Sequence, residues 1–187
     1  MKRRKIMKKY SSNTRKKIKA LILDMLFIII LVLIDQCTKY LAMLHLKDKK
    51  AFNLIDGVLE LNYLENKGAA FGMLQNQGVF FVFVAIIVLS VIAYILYKTP
   101  NAKKYNLMHI LLSLIAAGAI GNMIDRVRLD YVVDFIYFVL INFPIFNVAD
   151  MYVSFATALL VLALLFYYKE SDLSFIGFNQ KKIRELK

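Results

Sequence analysis

The sequence predicts an all-α membrane protein, with four transmembrane helices, a small extracytoplasmic β-sheet between helices 1 and 2, and an interfacial segment between helices 3 and 4. Three observations carry that prediction. The chain of 187 residues is 60% hydrophobic with a mean hydropathy of +0.59, too apolar for an ordinary soluble domain. Apolar runs long enough to cross a bilayer are separated by basic loops. Between the first two runs, hydrophobicity falls and alternation appears.

The formal net charge of +12 raises nucleic acid as a partner. The placement of the charge argues against it. Lys2, Arg3, Arg4, Lys5, Lys8, Lys9, Arg15, Lys16, Lys17 and Lys19 all precede the first apolar run, as expected of a cytoplasmic N-terminus, and attraction to anionic membrane lipid follows. No nucleic-acid partner is expected. With Cys37 as the single cysteine, no intrachain disulfide can form.

The first run, Ala20 to Ile34, is interrupted by Asp24 and resumes beyond Lys39 to Leu46. No small-x-small cleavage site follows it, so a retained helix is expected rather than a removed signal peptide. Ile34-Asp35-Gln36-Cys37 is not a lipidation box, since Asp35 and Gln36 stand where small residues are needed. From Asp48 to Phe71, Leu59, Leu61 and Tyr63 alternate with Glu60, Asn62 and Leu64, and Asp56-Gly57 supplies a turn, which predicts a hairpin outside the bilayer. Gly78 to Tyr97 is a span of about 20 residues, matching a hydrocarbon core of roughly 30 Å. Leu107 to Ile124 is the next span, with Ala117, Gly118 and Gly121 as small residues for close helix contact or approach of a substrate backbone. Val132 to Phe146 is apolar but carries Asp134, Asn142 and Pro144 and is too short to cross, so it reads as interfacial or re-entrant. Val148 to Tyr168 is the last span.

This division gives a basic cytoplasmic arm at 1–19, a membrane domain at 20–168 and a basic cytoplasmic tail at 169–187. Both termini and the Lys98 to Lys104 loop fall on the cytoplasmic side by the positive-inside rule. Asp35, Glu60, Glu65, Asn66, Asp125, Asp134 and Asp150 then lie toward the outer face.

Ionisable groups at membrane depth are costly, roughly 2.5 to 3.5 kcal/mol each, so Asp125, Asp134 and Asp150 in one short hydrophobic stretch call for a site. Asn122, Asp125 and Arg126 share a helical face, and Asp125 has a plain alternative as a helix-end salt bridge with Arg126 or Arg128. Asn147 and Asp150 open the last span, where the helix dipole favours a carboxylate and Asp150 could be a cap. Asp134 stands in Val132-Val133-Asp134-Phe135-Ile136 with no such excuse, and burial there raises a carboxyl pKa. Two carboxylates sharing one proton suit peptide hydrolysis of the aspartic type. His45 and His109 belong to opposite ends of the membrane, no metal or cofactor set with zinc spacing is present, and Ser113 and Ser154 lack a nearby histidine base, although a Ser-Lys pair stays open.

The residues Asp35-Gln36-Cys37-Thr38-Lys39, Asn66-Lys67-Gly68-Ala69-Ala70-Phe71, Gly118-Ala119-Ile120-Gly121-Asn122-Met123-Ile124-Asp125-Arg126, Val132-Val133-Asp134-Phe135 and Phe146-Asn147-Val148-Ala149-Asp150 resemble, in order, the motifs of lipoprotein signal peptidase, the bacterial signal peptidase II. The resemblance implies a four-helix aspartic endopeptidase of the bacterial cytoplasmic membrane. It would cleave lipidated prolipoproteins on the N-terminal side of the diacylglyceryl cysteine, without a cofactor and as a monomer. Carried over, the catalytic pair falls on Asp134 and Asp150, with Asn122, Asp125, Arg126 and Asn147 as a supporting polar shell and Asp35, Lys39 and Asn66 near the site. Asp125 rivals Asp134, but an adjacent arginine would keep Asp125 ionised, whereas one member of the pair must hold a proton. A small transporter, with acidic residues near the bilayer midplane, and a membrane assembly factor, with the polar cluster as helix glue, are the competing readings.

Overall fold

The computed structural model describes residues 2–68 and 77–177, with side chains from Thr14 onward. The order of elements is α1 (Lys2–Leu46), β1 (Phe52–Ile55), β2 (Leu59–Asn66), α2 (Gly78–Lys98), α3 (Asn106–Leu129), β3 (Val132–Phe138) and α4 (Val148–Leu162). Ala69, Ala70 and Phe71 of the second motif, and Phe178, Lys181, Lys182, Arg184 and Lys187 of the tail, lie outside the described residues. The side chains of the first thirteen residues of the basic arm do so as well.

Among the described residues, three helical segments are long and apolar enough to cross a membrane: Gly78–Lys98, Lys103–Leu129 and Val148–Tyr167. Their leucine, isoleucine, valine and phenylalanine side chains are largely exposed, as suits helices solvated by lipid. α3 is the exception and the axis of the bundle. Met108, Leu111, Leu112, Ala116, Ala117, Gly118 and Gly121 are buried on it, and it packs on α1, α2 and α4.

The small residues of α3 answer a question that sequence left open. A Cβ on Gly118 would strike the Ala149 carbonyl oxygen and Val153 of α4, and one on Gly121 would strike the Asp35 carboxylate of α1. Both glycines are therefore occupied by helix packing, and neither is free for a substrate backbone. Replacing Gly118 by leucine forces α3 and α4 apart. The expected outcome is destabilisation of about 1–3 kcal/mol or more, read as a lower unfolding midpoint in detergent.

The hairpin turns at Asp56-Gly57, where Gly57 has φ +70°, a conformation open to glycine at little cost. The sheet, however, has three strands in the order β1-β2-β3, all antiparallel, and the third comes from the Val132 to Phe146 segment expected to be interfacial. Val132-Val133-Asp134-Phe135-Ile136-Tyr137-Phe138 is β-branched and aromatic at nearly every position, which favours a strand over a short helix. Alternation along β3 turns Val133 and Phe135 toward Ala42 of α1, in a cluster with Leu61, Tyr63 and Leu129. It turns Asp134 to the opposite face.

Beyond α4 the chain makes one π-helical turn, Ala163–Tyr167, and a 3-10 segment, Glu170–Ile176. That segment docks against the start of α3. Lys104 pairs with Asp172 at 2.5 Å, the Tyr105 hydroxyl donates to the Asp172 carbonyl, and Phe175 meets the Tyr105 ring edge-on.

Candidate active site

The site is assembled where the C-terminal parts of α1 and α3 and the N-terminal end of α4 meet the sheet. Asp150 is the third residue of α4 and is held there by a reciprocal cap. Asn147 Oδ1 accepts from the Asp150 N–H (2.9 Å), and Asp150 Oδ2 accepts from the Asn147 N–H (3.1 Å). The first turn of a helix is also where the backbone dipole favours negative charge. The capping reading of Asp150 is thus correct, and it leaves Oδ1 facing Asn122, whose Nδ2 donates to it at 2.7 Å.

Asp134 reaches the same place from β3. Its Oδ1 accepts from Asn147 Nδ2 (2.6 Å) and its Oδ2 from Asn66 Nδ2 (2.8 Å). Asn66 depends on an irregularity in β2. Leu59 and Leu61 pair with Phe138 and Ile136, but Leu64, not Tyr63, pairs with Asp134. One extra residue bulges out between Leu61 and Leu64, which reverses the parity of the strand. Without it Glu65 would occupy the row that Asn66 takes, and Asp134 would face a second carboxylate.

One residue, Asn147, therefore holds both carboxyl groups, and they lie close enough to feel each other's charge. Asp134 is 1% exposed. Burial first, and the Asp150 charge second, push its pKa from the ordinary carboxylate value up to about 7, against the lowering effect of its two amide donors. The sign for stability follows. Between roughly pH 4 and pH 7 the unfolded chain has released this proton and the folded one retains it, so the group's contribution falls as pH rises. An Asp134→Asn protein is expected to lack this loss, and unfolding midpoints compared at pH 5 and pH 7.5 check it.

Beneath the two carboxyl groups lies a buried charge network. Lys39 is 2% exposed and uses all three of its donors, to Asp35 Oδ2 (3.0 Å), Asp125 Oδ2 (2.9 Å) and Asn122 Oδ1 (2.8 Å). Asp35 also accepts from the Ala149 N–H at the start of α4 (2.9 Å), and Asp125 from the Val133 N–H beside Asp134 (3.2 Å). Asp125 pairs with Lys39 and not with Arg126 or Arg128. The adjacent arginine expected to hold Asp125 ionised is turned away, because α3 presents Asp125 to α1 and Arg126 to α2. Arg126 donates to the carbonyls of Asn122 and Gly68 and stacks over Phe81 with its Cζ 4.7 Å from the ring centre.

All nine residues expected at the site, Asp35, Lys39, Asn66, Asn122, Asp125, Arg126, Asp134, Asn147 and Asp150, are joined through hydrogen bonds and ion pairs. Sequence reasoning passed over Gln36, whose Nε2 donates to Asp125 Oδ1 (2.9 Å) and the Gly121 carbonyl (3.2 Å). An amide in an apolar helix was signal enough. It also passed over the contact of Asp24 with His109, 2.7 Å apart, and the expectation that Ser113 lacks a nearby histidine is corrected, since Ser113 lies one turn from His109 on α3, with no hydrogen bond between them.

The groove above Asp134 and Asp150 has a volume of about 1070 Å³ and is chiefly apolar. Phe138, Ile141, Phe143 and Phe146 form one wall, Met151 and Phe155 of α4 the other, and Asn66, Asn122 and Arg126 join the two aspartates at its polar end. Residues 27–166 match the family described as Signal peptidase (SPase) II. The chain belongs to the signal peptidase II family. It is 48% identical to a lipoprotein signal peptidase of Caldanaerobacter subterraneus over 123 residues, covering 65% of this chain and 81% of that protein. To the lipoprotein signal peptidase of Streptococcus pyogenes serotype M5 it is 40% identical over 150 residues, covering 80% and 95%. A bacterial membrane enzyme structure solved by the in meso method at 2.3 Å superposes with a TM-score of 0.71 and 35% identity, over 79% of this chain and 92% of that one. Signal peptidase II membership makes the chain a bacterial membrane protease of lipoprotein processing, and the transport and assembly-factor readings fall away.

Proposed function

We propose that this signal peptidase II is an aspartic endopeptidase that cuts diacylglyceryl-modified prolipoproteins on the N-terminal side of the lipidated cysteine, with Asp134 and Asp150 as its catalytic pair. The observation that carries the reading is the sharing of Asn147 between the two carboxyl groups at the polar end of an apolar groove. Asp150, at a helix N-terminus, is the base that takes a proton from water. The hydroxide equivalent attacks the scissile carbonyl carbon while Asp134, which holds its proton near neutrality, protonates the carbonyl oxygen. The tetrahedral diol then collapses, the proton on Asp150 passing to the leaving nitrogen and the diol proton returning to Asp134.

Asn66 and Asn147 orient Asp134, and Asn122 and Asn147 orient Asp150. Arg126 holds the Gly68 segment against the groove, and Asp35, Lys39 and Asp125 set the depth of α1 and α3 from below. In this reading α1 crosses the membrane through its apolar run as a fourth span. The N-terminal arm, the Lys98 to Lys104 loop and the tail are cytoplasmic, and the site opens near the outer face. The domain is 20–168, flanked by the basic arm 1–19 and tail 169–187, which meet anionic lipid. The enzyme acts as a monomer, since the pair and its supports come from one chain. The bilayer holds the substrate's acyl chains and signal helix so that the scissile bond lies in the groove, which is catalysis by positioning.

The testing experiment is cleavage of a diacylglyceryl-modified prolipoprotein in detergent, with a chelator control. Asp125→Asn is expected to be impaired but active, because Asp35 and Asn122 still hold Lys39. Activity is expected to decline above about pH 7 as Asp134 loses its proton. A rate that keeps rising through pH 8 assigns the proton elsewhere.

A further inference from the structure

α1 and α3 run parallel and touch through two polar contacts. The outer one is the Lys39 network. The inner one is Asp24 with His109, Oδ2 to Nδ1 at 2.7 Å, with both side chains almost buried beside Met108 and Leu112. The proposed chemistry does not use it. From Asp24 to Lys39 α1 advances 15 residues, about 22 Å at 1.5 Å each, and from His109 to Asp125 α3 advances 16, about 24 Å. Each helix is thus pinned to the other at two points spaced alike.

The inner contact is expensive for the fold. His109 Nε2 and Ser113 Oγ, one turn apart on α3, are buried with no hydrogen-bond partner among the described residues. A buried polar pair with free polar atoms beside it gains little over well-packed apolar side chains of the same volume. The best-attested use of such a pair is to fix how two helices are set against each other. That setting matters here, because Lys39 holds Asn122 Oδ1 and Asn122 Nδ2 holds Asp150 Oδ1. Apolar packing in the inner half would tolerate an axial slip of α1, and the slip would be delivered to Asp150.

We propose that Asp24 and His109 are positioning residues, a register pin in the inner half of the bundle that sets α1 on α3 and thereby aims Asp150 through Lys39 and Asn122. The inference rests on the assignment of Asp150 to the catalytic pair. The test compares Asp24→Leu/His109→Leu and His109→Gln with the parent, measuring the unfolding midpoint, kcat and KM on the lipidated substrate, with Asp150→Asn as control. The expected result is a double variant as stable as the parent or more so, with kcat about 10- to 100-fold lower and KM within about twofold. His109→Gln, which can still donate to Asp24, recovers kcat to within about threefold. Parent-like kcat in the double variant overturns the proposal. So does a kcat that falls only in step with the unfolding midpoint, or a His109→Gln protein as slow as the double variant. Turnover by Asp150→Asn would instead overturn the assignment beneath it.

Discussion

Asp134→Asn and Asp150→Asn are each expected to lower prolipoprotein cleavage by roughly 10⁴-fold or more, the scale on which single members of a catalytic unit act, with the protein still folded. Each amide keeps the shape of the side chain and most of its hydrogen bonds. At position 134 asparagine offers no proton to the carbonyl oxygen, and at position 150 it accepts none from water. The double variant is expected to be no slower than either single one, because the pair works as a unit. Cleavage assays beside unfolding curves check both points. Substantial turnover by one single variant removes that residue from the pair.

Lys39→Met is expected to act on stability as strongly as those variants act on rate. The ammonium is the cation shared by Asp35 and Asp125, which are 0% and 3% exposed. Methionine fills the volume but leaves two buried carboxylates without a counter-charge. Breaking a buried pair in this way costs about 3–5 kcal/mol, a fall in unfolding midpoint on the order of 10 °C for a chain of this size. The loss is expected to shrink in Lys39→Met/Asp125→Asn, which removes one orphaned charge. A single variant as stable as the parent would mean that water reaches the carboxylates and that the network is not buried in solution.

Much of this was legible before any fold was known. Apolar length placed the starts of α2 at Gly78 and α4 at Val148, but not that of α1, which begins at Lys2 within the basic arm rather than at Ala20 because hydropathy cannot see a helix that continues through charged residues. Position in apolar stretches singled out Asp125, Asp134 and Asp150, with Asn122, Arg126 and Asn147 at helical spacing beside them, whereas Asp35, Lys39 and Asn66 came to the site only through the resemblance to signal peptidase II. What spacing could not give was partnership. Asp125 faced two arginines in sequence and took a lysine from 86 residues away, a choice made by which face of α3 meets α1. The strand of Val132 to Phe138 was hidden because its pairing partner lies before α2, and local hydropathy cannot report a partner. The bulge that brings Asn66 rather than Glu65 to Asp134 coincides with a break in alternation at Tyr63-Leu64, which the sequence reading missed by counting Leu64 with the polar parity.

The third strand bears on the order in which the enzyme is made. Sheet pairing joins Leu59–Asn66 to Val132–Phe138, and Asp150 follows only after that strand. On the ribosome, the hairpin emerges long before its third strand, so a nascent chain carries an open sheet edge until Val132–Phe138 is synthesised, and the proposed Asp134–Asp150 pair is completed later still. Truncated products ending before Val148 lack Asp150 and with it the proposed pair. On that assignment, the peptidase becomes able to cut only once translation has passed Asp150.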